Sequence, residues 1–262
     1  MNRIETEKLT IAYDEHVIVD SLDLAIPEGK ITSIIGPNGC GKSTILKTIG
    51  RILKRKSGHV LLDGADIAKI TTKEIAKKMA ILPQTPTAPS GLTVQELVSY
   101  GRFPHQKGFG KLNDEDKKIV DWAIEVTKLT DYRYREIDNL SGGQRQRVWI
   151  AMALAQQTEL ILLDEPTTYL DMAHQLEVLE LLKDLNKQQG CTIVMVLHDL
   201  NLASRFSDYL VAVNEGEVKA KGNAKEVIKA EVLKNVFQIE ATIVEEPVSE
   251  RPVCLTYQLI QE

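Results

Sequence analysis

The sequence predicts an α/β protein with a mostly parallel sheet, an antiparallel β part near the N-terminus and an inserted helical subdomain. Continuously apolar strand patterns at 160–163 and 192–197 alternate with helical patterns, which is typical of a parallel sheet covered on both faces. Between residues 85 and 139 the regular segments have helical periodicity, which indicates a helical subdomain within the α/β core. Shorter strand patterns near polar turns come first, at 9–13, 22–26 and 60–62.

Local signals mark where several helices begin. Thr93 with Glu96, and Ser141 with Gln144, form capping boxes, in which two side chains bond backbone N–H groups at a helix start. Asn113 and the acidic residues after it also suit a helix N-terminus. The apolar periodicity then predicts strands at 30–35 and 80–82 and helices at 43–52, 113–129 and 173–188. We expect the tail from residue 241 to add edge strands.

The length of 262 residues suits one domain with an inserted subdomain. We expect a single domain over 1–262. Its α/β core would comprise residues 1–84 and 140–240. The helical subdomain would span 85–139, and a C-terminal extension would span 241–262.

The composition is that of a globular protein and disfavours some functions. The net charge of -5 argues against a nucleic-acid binder that works by neutralising phosphates. The three scattered cysteines form neither a disulfide framework nor a metal-binding spacing, which favours a reducing cytoplasm. The apolar runs are too short to span a bilayer, so we expect any membrane role to be peripheral.

A glycine-rich loop follows the strand at 30–35. It fits the pattern G-x-x-x-x-G-K-[ST] between a strand and a helix, which is the context that a phosphate-binding loop requires. Glycines let backbone N–H groups wrap closely around phosphate oxygens, and the helix N-terminus adds partial positive charge. Lys42 would reach the β- and γ-phosphates of ATP, and Ser43 would bind Mg²⁺. The loop consists of Gly36, Pro37, Asn38, Gly39, Cys40, Gly41, Lys42, Ser43 and Thr44.

Polar side chains follow several predicted strands. Because ligands of parallel sheets bind outside the carboxyl ends of strands, Asp164 would hold Mg²⁺ through water and Glu165 would orient or deprotonate the attacking water. His198 would reach the γ-phosphate, and Gln84 would lie near Mg²⁺ and the water. Tyr13 would stack on the adenine. The alternatives are a solvated turn for the acids, a structural histidine and a simply packed tyrosine.

A second glycine-rich segment lies at 140–144. Gly142 and Gly143 follow Ser141 in the first turn of a helix, where glycines lower helix stability, so the bare backbone there suits the close approach of a phosphate. One chain cannot easily bring this segment and the phosphate loop to the same phosphate. We therefore expect two chains to complete each site, with ATP holding the dimer together. A capped helix with incidental glycines is the alternative.

In their order and spacing, these segments resemble those of the nucleotide-binding subunit of an ATP-binding-cassette (ABC) transporter, over nearly the whole chain. The phosphate loop resembles the Walker A motif and 160–165 resembles Walker B, which implies a P-loop NTPase core. The segment 140–144 matches the LSGGQ signature, whose site residues are Ser141, Gly142, Gly143 and Gln144. Residues 169–171, with Asp171 as the site residue, match the D-loop. The single-residue matches are Gln84 for the Q-loop, His198 for the switch histidine and Tyr13 for the adenine-stacking aromatic.

The resemblance implies a head-to-tail homodimer that hydrolyses ATP with Mg²⁺. The signature of one subunit would cover the γ-phosphate bound to Lys42 of the other, and Asp171 would communicate across the interface. The helical subdomain would receive the coupling helix of an integral-membrane permease, and Gln84 would link γ-phosphate occupancy to rotation of that subdomain. The subunit would lie at the cytoplasmic face of the bacterial cell membrane, and an extracytoplasmic substrate-binding lipoprotein would act through the permease.

Two segments narrow the expected function. Residues 101–105 and 166–171 are similar to the subclass that serves iron–siderophore and cobalamin importers, with ferric hydroxamate uptake as the first expectation. An ATPase of another importer, for cobalamin, haem or metal, is the alternative. A non-transport ABC ATPase that acts on nucleic acid is disfavoured by the acidic charge and the lack of sustained heptads. An inert module is disfavoured because Glu165 and His198 are both present.

Overall fold

The computed structural model describes residues 1–106 and 112–260, which form twelve β-strands and nine α-helices. Residues 107–111 of the predicted helical subdomain and 261–262 of the predicted extension lie outside the described residues. The strands are β1 (Asn2–Tyr13), β2 (His16–Pro27), β3 (Ile31–Ile35), β4 (Ser57–Leu62), β5 (Ala65–Asp66), β6 (Met79–Leu82), β7 (Leu160–Leu163), β8 (Thr192–Val196), β9 (Tyr209–Asn214), β10 (Glu217–Gly222), β11 (Ile239–Glu245) and β12 (Pro252–Leu259). The helices are α1 (Lys42–Ile49), α2 (Thr72–Lys78), α3 (Val94–Tyr100), α4 (Asp114–Val126), α5 (Gly142–Ala155), α6 (Met172–Gln189), α7 (Leu200–Phe206), α8 (Ala224–Val227) and α9 (Ala230–Phe237).

The chain divides into two units. The first comprises Met1–Lys69 together with Leu185–Glu262, and the second comprises Ile70–Asp184. The first unit carries the predicted phosphate loop, and the second carries the predicted Walker B and signature segments. The boundaries expected from the sequence, with a core of 1–84 and 140–240 and a helical subdomain at 85–139, remain a prediction.

The first unit contains an antiparallel sheet in the order β2-β1-β4-β5 and a second set of strands in the order β10-β9-β3-β8. Strand β3 pairs in parallel with β8, where Ile34 lies opposite Val196, and in parallel with β9. Every residue of β3 and β8 is buried, as continuous apolar runs predict for strands covered on both faces. Because β3 and β8 are parallel neighbours, the chain leaves both at the same edge of the sheet.

The second unit contains the parallel pair β6 and β7, in which Leu82 lies opposite Leu163 at the carboxyl ends. Helices α3, α4 and α5 pack against one another, and α5 also packs against β6. A buried ion pair supports this helical packing: Nε of Arg102, just after α3, donates to Oδ1 of Asp116 in α4 at 2.8 Å. The mixed α/β class, the parallel strands, the antiparallel N-terminal sheet and the helical insertion are therefore confirmed.

Two predicted elements near the N-terminus have other boundaries in the structure. The helix expected at 43–52 ends at Ile49, because the N–H groups of Ile52 and Leu53 both turn back to the carbonyl oxygen of Lys47. The strand expected at 9–13 begins at Asn2 instead. Lys8 has a φ of 44° at a register shift in β1, and this irregularity interrupts the strict alternation that the prediction used.

The expectation that the tail adds edge strands is wrong. Strands β11 and β12 pair with each other in a two-stranded sheet of their own. A tight turn makes this hairpin, since the N–H of Glu246 donates to the carbonyl oxygen of Arg251 at 2.9 Å. Strand β12 packs against α7, and β11 packs against α9.

Candidate nucleotide-binding site

The loop between β3 and α1 has a backbone that glycine alone adopts easily. Gly36, Gly39 and Gly41 have φ values of 155°, 78° and 104°, in the region that favours glycine. A Cβ atom on Gly36 would lie 2.0 Å from the carbonyl oxygen of Val213, so a side chain there is excluded. Helix α1 has Gly41 as its N-cap and no acidic residue in its first turn. The loop therefore brings a positively polarised helix end to a close backbone turn, which fits a phosphate.

Lys42 is folded into this loop. Its side chain is buried, and its Nζ atom donates to the carbonyl oxygens of Gly36 at 2.9 Å and Pro37 at 2.7 Å. The ammonium group is thus held over the turn that the glycines form. Burial raises the pKa of the neighbouring Cys40 thiol and outweighs the lowering effect of Lys42, so the thiol is the favoured form near neutral pH.

His198 and the phosphate loop emerge at the same edge of the sheet. The N–H of Leu197 donates to the carbonyl oxygen of Ile34 at 3.2 Å, which continues the β3–β8 pairing up to the residue before His198. The side chain of His198 is exposed. Tyr13 ends β1 and is 47% exposed. Within the first unit, the structure therefore brings His198 to the edge where the loop begins.

In the second unit, Asp164 and Glu165 follow β7. Asp164 is 2% exposed, and its N–H donates to the carbonyl oxygen of Leu82 at 2.9 Å. Glu165 has a φ of 53°, a left-handed conformation that costs energy in a non-glycine residue and is often found at functional sites. The two acids thus lie at the end of β7 in different surroundings, one buried and one on a sharp turn.

The carboxylate of Glu165 is held by two neighbours. Its Oε2 atom accepts from Nε2 of Gln84 at 2.6 Å and from Oγ1 of Thr168 at 2.9 Å. The structure therefore brings Gln84 and Glu165 together, as expected from two parallel strands that end side by side. Thr168 was not a candidate from the sequence. A hydroxyl three residues after an acid in a proline-containing turn is the signal that could have indicated it.

The predicted capping box at the signature is confirmed. Oγ of Ser141 accepts from the N–H of Gln144 at 3.3 Å, and Oε1 of Gln144 accepts from the N–H of Ser141 at 3.0 Å. The two glycines differ in their surroundings. A Cβ atom on Gly142 would meet no atom within 4 Å, whereas one on Gly143 would lie 2.5 Å from the ring of His174. Gly143 thus permits packing within the chain, and the exposed Gly142 has no such role.

His174 also contacts Asp171, the predicted D-loop residue. Nδ1 of His174 lies 2.8 Å from Oδ1 of Asp171, which also accepts from the backbone N–H of His174 at 3.0 Å. These hydrogen bonds hold the pKa of Asp171 below its usual value, and the bond from the backbone N–H has the larger effect. The sequence did not indicate His174. Its ring links Asp171 to the first turn of α5 within the second unit.

The candidate Mg²⁺ ligands are a hydroxyl, an amide and a carboxylate. Among residues 1–106 and 112–260, no three His, Cys, Asp or Glu side chains are grouped to hold a metal ion. A Mg²⁺ ion accepts hydroxyl, amide and water oxygens alongside a single carboxylate. Ser43 offers a hydroxyl in the first unit, and Gln84 and Asp164 offer an amide and a carboxylate in the second.

Residues 19–168 match the family model described as ABC transporter. The chain belongs to the ABC transporter family. It is 64% identical over 261 residues to the iron(3+)-hydroxamate import ATP-binding protein FhuC of Bacillus subtilis (strain 168), covering 100% of this chain and 97% of the relative. It is 50% identical over 254 residues to the petrobactin import ATP-binding protein FpuD of Bacillus anthracis, covering 97% and 93%.

The solved structures agree with this assignment. A dimeric, post-hydrolysis state of the ATP-binding cassette MJ0796, bound to ADP and Pi, has a TM-score of 0.73 at 32% identity, covering 84% of this chain and 98% of that one. The ABC transporter chain described here is therefore an ATP-binding ATPase subunit, and both the family resemblance and the expected enzyme class are confirmed. In the part of the chain that the structure describes, no helix is long and apolar enough to cross a membrane.

Proposed function

We propose that this ATPase powers the uptake of an iron–siderophore complex through a separate membrane permease, with a ferric hydroxamate as the cargo. The support is the 64% identity, over the full chain, to a protein named for hydroxamate import, compared with 50% to one named for petrobactin import. A cobalamin, haem or metal importer is the alternative. The cargo does not touch the ATPase, so the permease that pairs with this chain decides between them.

We assign the phosphate loop, with Lys42, to the β- and γ-phosphates and Ser43, Asp164 and Gln84 to Mg²⁺. The bound Mg²⁺ would neutralise phosphate charge. Backbone N–H groups at the start of α1 would hold the phosphate oxygens, and Tyr13 would stack on the adenine. The support is the local geometry of each segment, above all the glycine conformations of the loop and the buried position of Lys42.

Glu165 is the proposed base or orienting group for the attacking water, and His198 the proposed contact to the γ-phosphate. The single observation that carries the catalytic assignment is the contact of 2.6 Å between Gln84 Nε2 and Glu165 Oε2. With Thr168 on the same oxygen, this contact fixes the direction of the carboxylate, which a positioned base requires. Gln84 can serve both roles, because its Nε2 atom donates to Glu165 and its amide oxygen would be the atom that binds Mg²⁺.

We propose a homodimer in which the signature of each subunit covers the γ-phosphate held by its partner, with Asp171 at the interface. The open space at Gly142 supports this, because a Cβ atom placed there would meet no atom within 4 Å and a helix N-terminus with free space beside it suits an incoming phosphate. The dimeric state of the MJ0796 relative supports it too. The permease would anchor the dimer at the cytoplasmic face of the membrane, and an extracytoplasmic lipoprotein would deliver the cargo.

The test of the ATPase assignment compares Lys42→Ala and Ser141→Arg in the full-length chain. Lys42→Ala should weaken ATP binding in calorimetry. Ser141→Arg should leave the binding of ATP to a single chain near the wild-type level and reduce hydrolysis, because it obstructs the partner's phosphate. Full turnover by Ser141→Arg would contradict the shared site. Growth of a deletion strain on single iron chelates tests the cargo: loss of growth on hydroxamates is expected, and unaffected growth on them would contradict the proposal.

A further inference from the structure

Helix α7 connects directly to His198 and is short. It covers Leu200–Phe206, seven residues, and begins two residues after His198. Helices of this length are not stable alone in water, so neighbouring contacts must fix their position. Oδ1 of Asp199 caps the helix by accepting from the N–H of Leu202 at 2.8 Å. The position of α7 therefore affects the direction in which the chain leaves His198.

The C-terminal hairpin holds the first turn of α7 through Asn201. The side-chain Nδ2 of Asn201 donates to the carbonyl oxygen of Cys254 at 3.1 Å, and its Oδ1 accepts from the N–H of Cys254 at 2.8 Å. One amide side chain thus pairs with both backbone groups of one residue, as a neighbouring strand would. This pairing needs a donor and an acceptor on one side chain, which aspartate and alanine cannot supply.

The same strand also holds the end of α7. Oγ of Ser204, a buried side chain, donates to the carbonyl oxygen of Pro252 at 2.6 Å. Arg251 donates to the carbonyl oxygens of Ser204 and Ser207, where a cation suits the carboxyl end of a helix. Oγ of Ser207 donates to Oγ of Ser33 at 2.6 Å, inside the buried strand β3. The hairpin therefore fixes α7 at both ends, and the second end is tied to the strand that leads into the phosphate loop.

We propose that Asn201 is a positioning residue for ATP hydrolysis: through it, the C-terminal hairpin sets the place of His198. His198 lies between two fixed points, the hydrogen bond of Leu197 to Ile34 on one side and the Asn201–Cys254 pair on the other. This proposal rests on the proposed function, because it takes His198 to contact the γ-phosphate. On this proposal the C-terminal extension positions His198, a role that the sequence alone did not indicate.

The test compares Asn201→Ala with Cys254→Ala in the full-length chain. Alanine has a higher intrinsic helix propensity than asparagine, so a loss in Asn201→Ala cannot come from helix propensity. Cys254 contributes to the pair through its backbone, so Cys254→Ala changes the same contact region and keeps both hydrogen bonds. It is the matched control.

The first readout is the ring signal of His198 in NMR spectra of the nucleotide-free protein, identified among the five histidines by its loss in His198→Ala. We expect Asn201→Ala to shift or broaden the His198 signal, while Cys254→Ala leaves it in place. An unchanged His198 signal in Asn201→Ala would overturn the proposal. This readout does not depend on turnover, so it decides the positioning claim even if the proposed function fails.

The second readout is ATP turnover. We expect Asn201→Ala to lower kcat on the order of 10-fold with little change in KM, since small displacements of a catalytic group have effects of this size. In a His198→Ala background, Asn201→Ala should cause no further loss. Equal losses in both backgrounds would show that Asn201 acts on stability alone. If His198→Ala instead kept wild-type turnover, this result would contradict the role of His198 in the proposed function.

Discussion

Gly142→Ala separates the two explanations of the signature segment. Gly142 is the first residue of α5, its φ is not positive, and a methyl group there would contact no atom within 4 Å. If the segment were a capped helix alone, alanine would be tolerated and would stabilise the protein. If a partner's phosphate approaches the bare backbone, the methyl group lies in its way.

The open space at Gly142 gives the sign of the stability effect, and general magnitudes give the size of both effects. Replacing a glycine by alanine in a compatible conformation stabilises a protein by about 0.4–1 kcal/mol, chiefly through the unfolded chain. For a chain of this length that corresponds to a rise in Tm of about 1–4 °C. A phosphate pushed away by about 1 Å loses on the order of 10²-fold in rate. We therefore expect a more stable and much less active protein.

The assay measures thermal unfolding and ATP turnover on the same preparations. Gly143→Ala is the comparison variant, because its Cβ atom would lie 2.5 Å from the ring of His174 and should cancel the stability gain. A Gly142→Ala protein with a raised Tm and wild-type turnover would refute the reasoning, and the segment would then be a helix start without a ligand.

Three further outcomes are expected. Glu165→Gln should lower turnover by about 10²–10⁴-fold and leave a stable ATP-bound dimer in size-exclusion runs, and a monomer with ATP would speak against the shared site. Asp116→Ala should lower the free energy of unfolding, measured in urea, by about 3–5 kcal/mol, because it leaves the guanidinium of Arg102 buried without its carboxylate. A decrease below about 1 kcal/mol would show that the pair is dispensable. Cys40 should react slowly with maleimide at pH 7 and faster as the pH rises, because burial raises the pKa of its thiol. ATP should slow this reaction further. A reaction rate that changes with neither pH nor ATP would contradict the expectation.

The parts of the fold that the sequence predicted are those set by local chemistry. The apolar run 160–163 coincides with β7, and the capping boxes at Thr93 and Ser141 are present because each involves residues close in the chain. The conformation of the phosphate loop was equally predictable from its glycines, since Gly36 and Gly41 adopt conformations that other residues avoid.

The parts that the sequence did not predict depend on contacts between distant segments. Asn201 and Cys254 meet across 53 positions, and no local pattern marks either residue. The ring of His174 becomes a partner of Gly143 through helix packing. The left-handed backbone of Glu165 is also not encoded by its residue type, because the surrounding fold imposes it.

The central claim is that each ATP is bound between the phosphate loop of one chain and the signature of another. Mixing two variants tests it directly: Lys42→Ala and Ser141→Arg, each in a Glu165→Gln background and carrying a different fluorophore. A mixed dimer contains one intact site if the two segments meet between chains. We expect ATP-dependent energy transfer in the mixture and none when either variant is labelled with both fluorophores and measured alone. A mixture that stays monomeric with ATP, or either variant dimerising alone, would contradict the account.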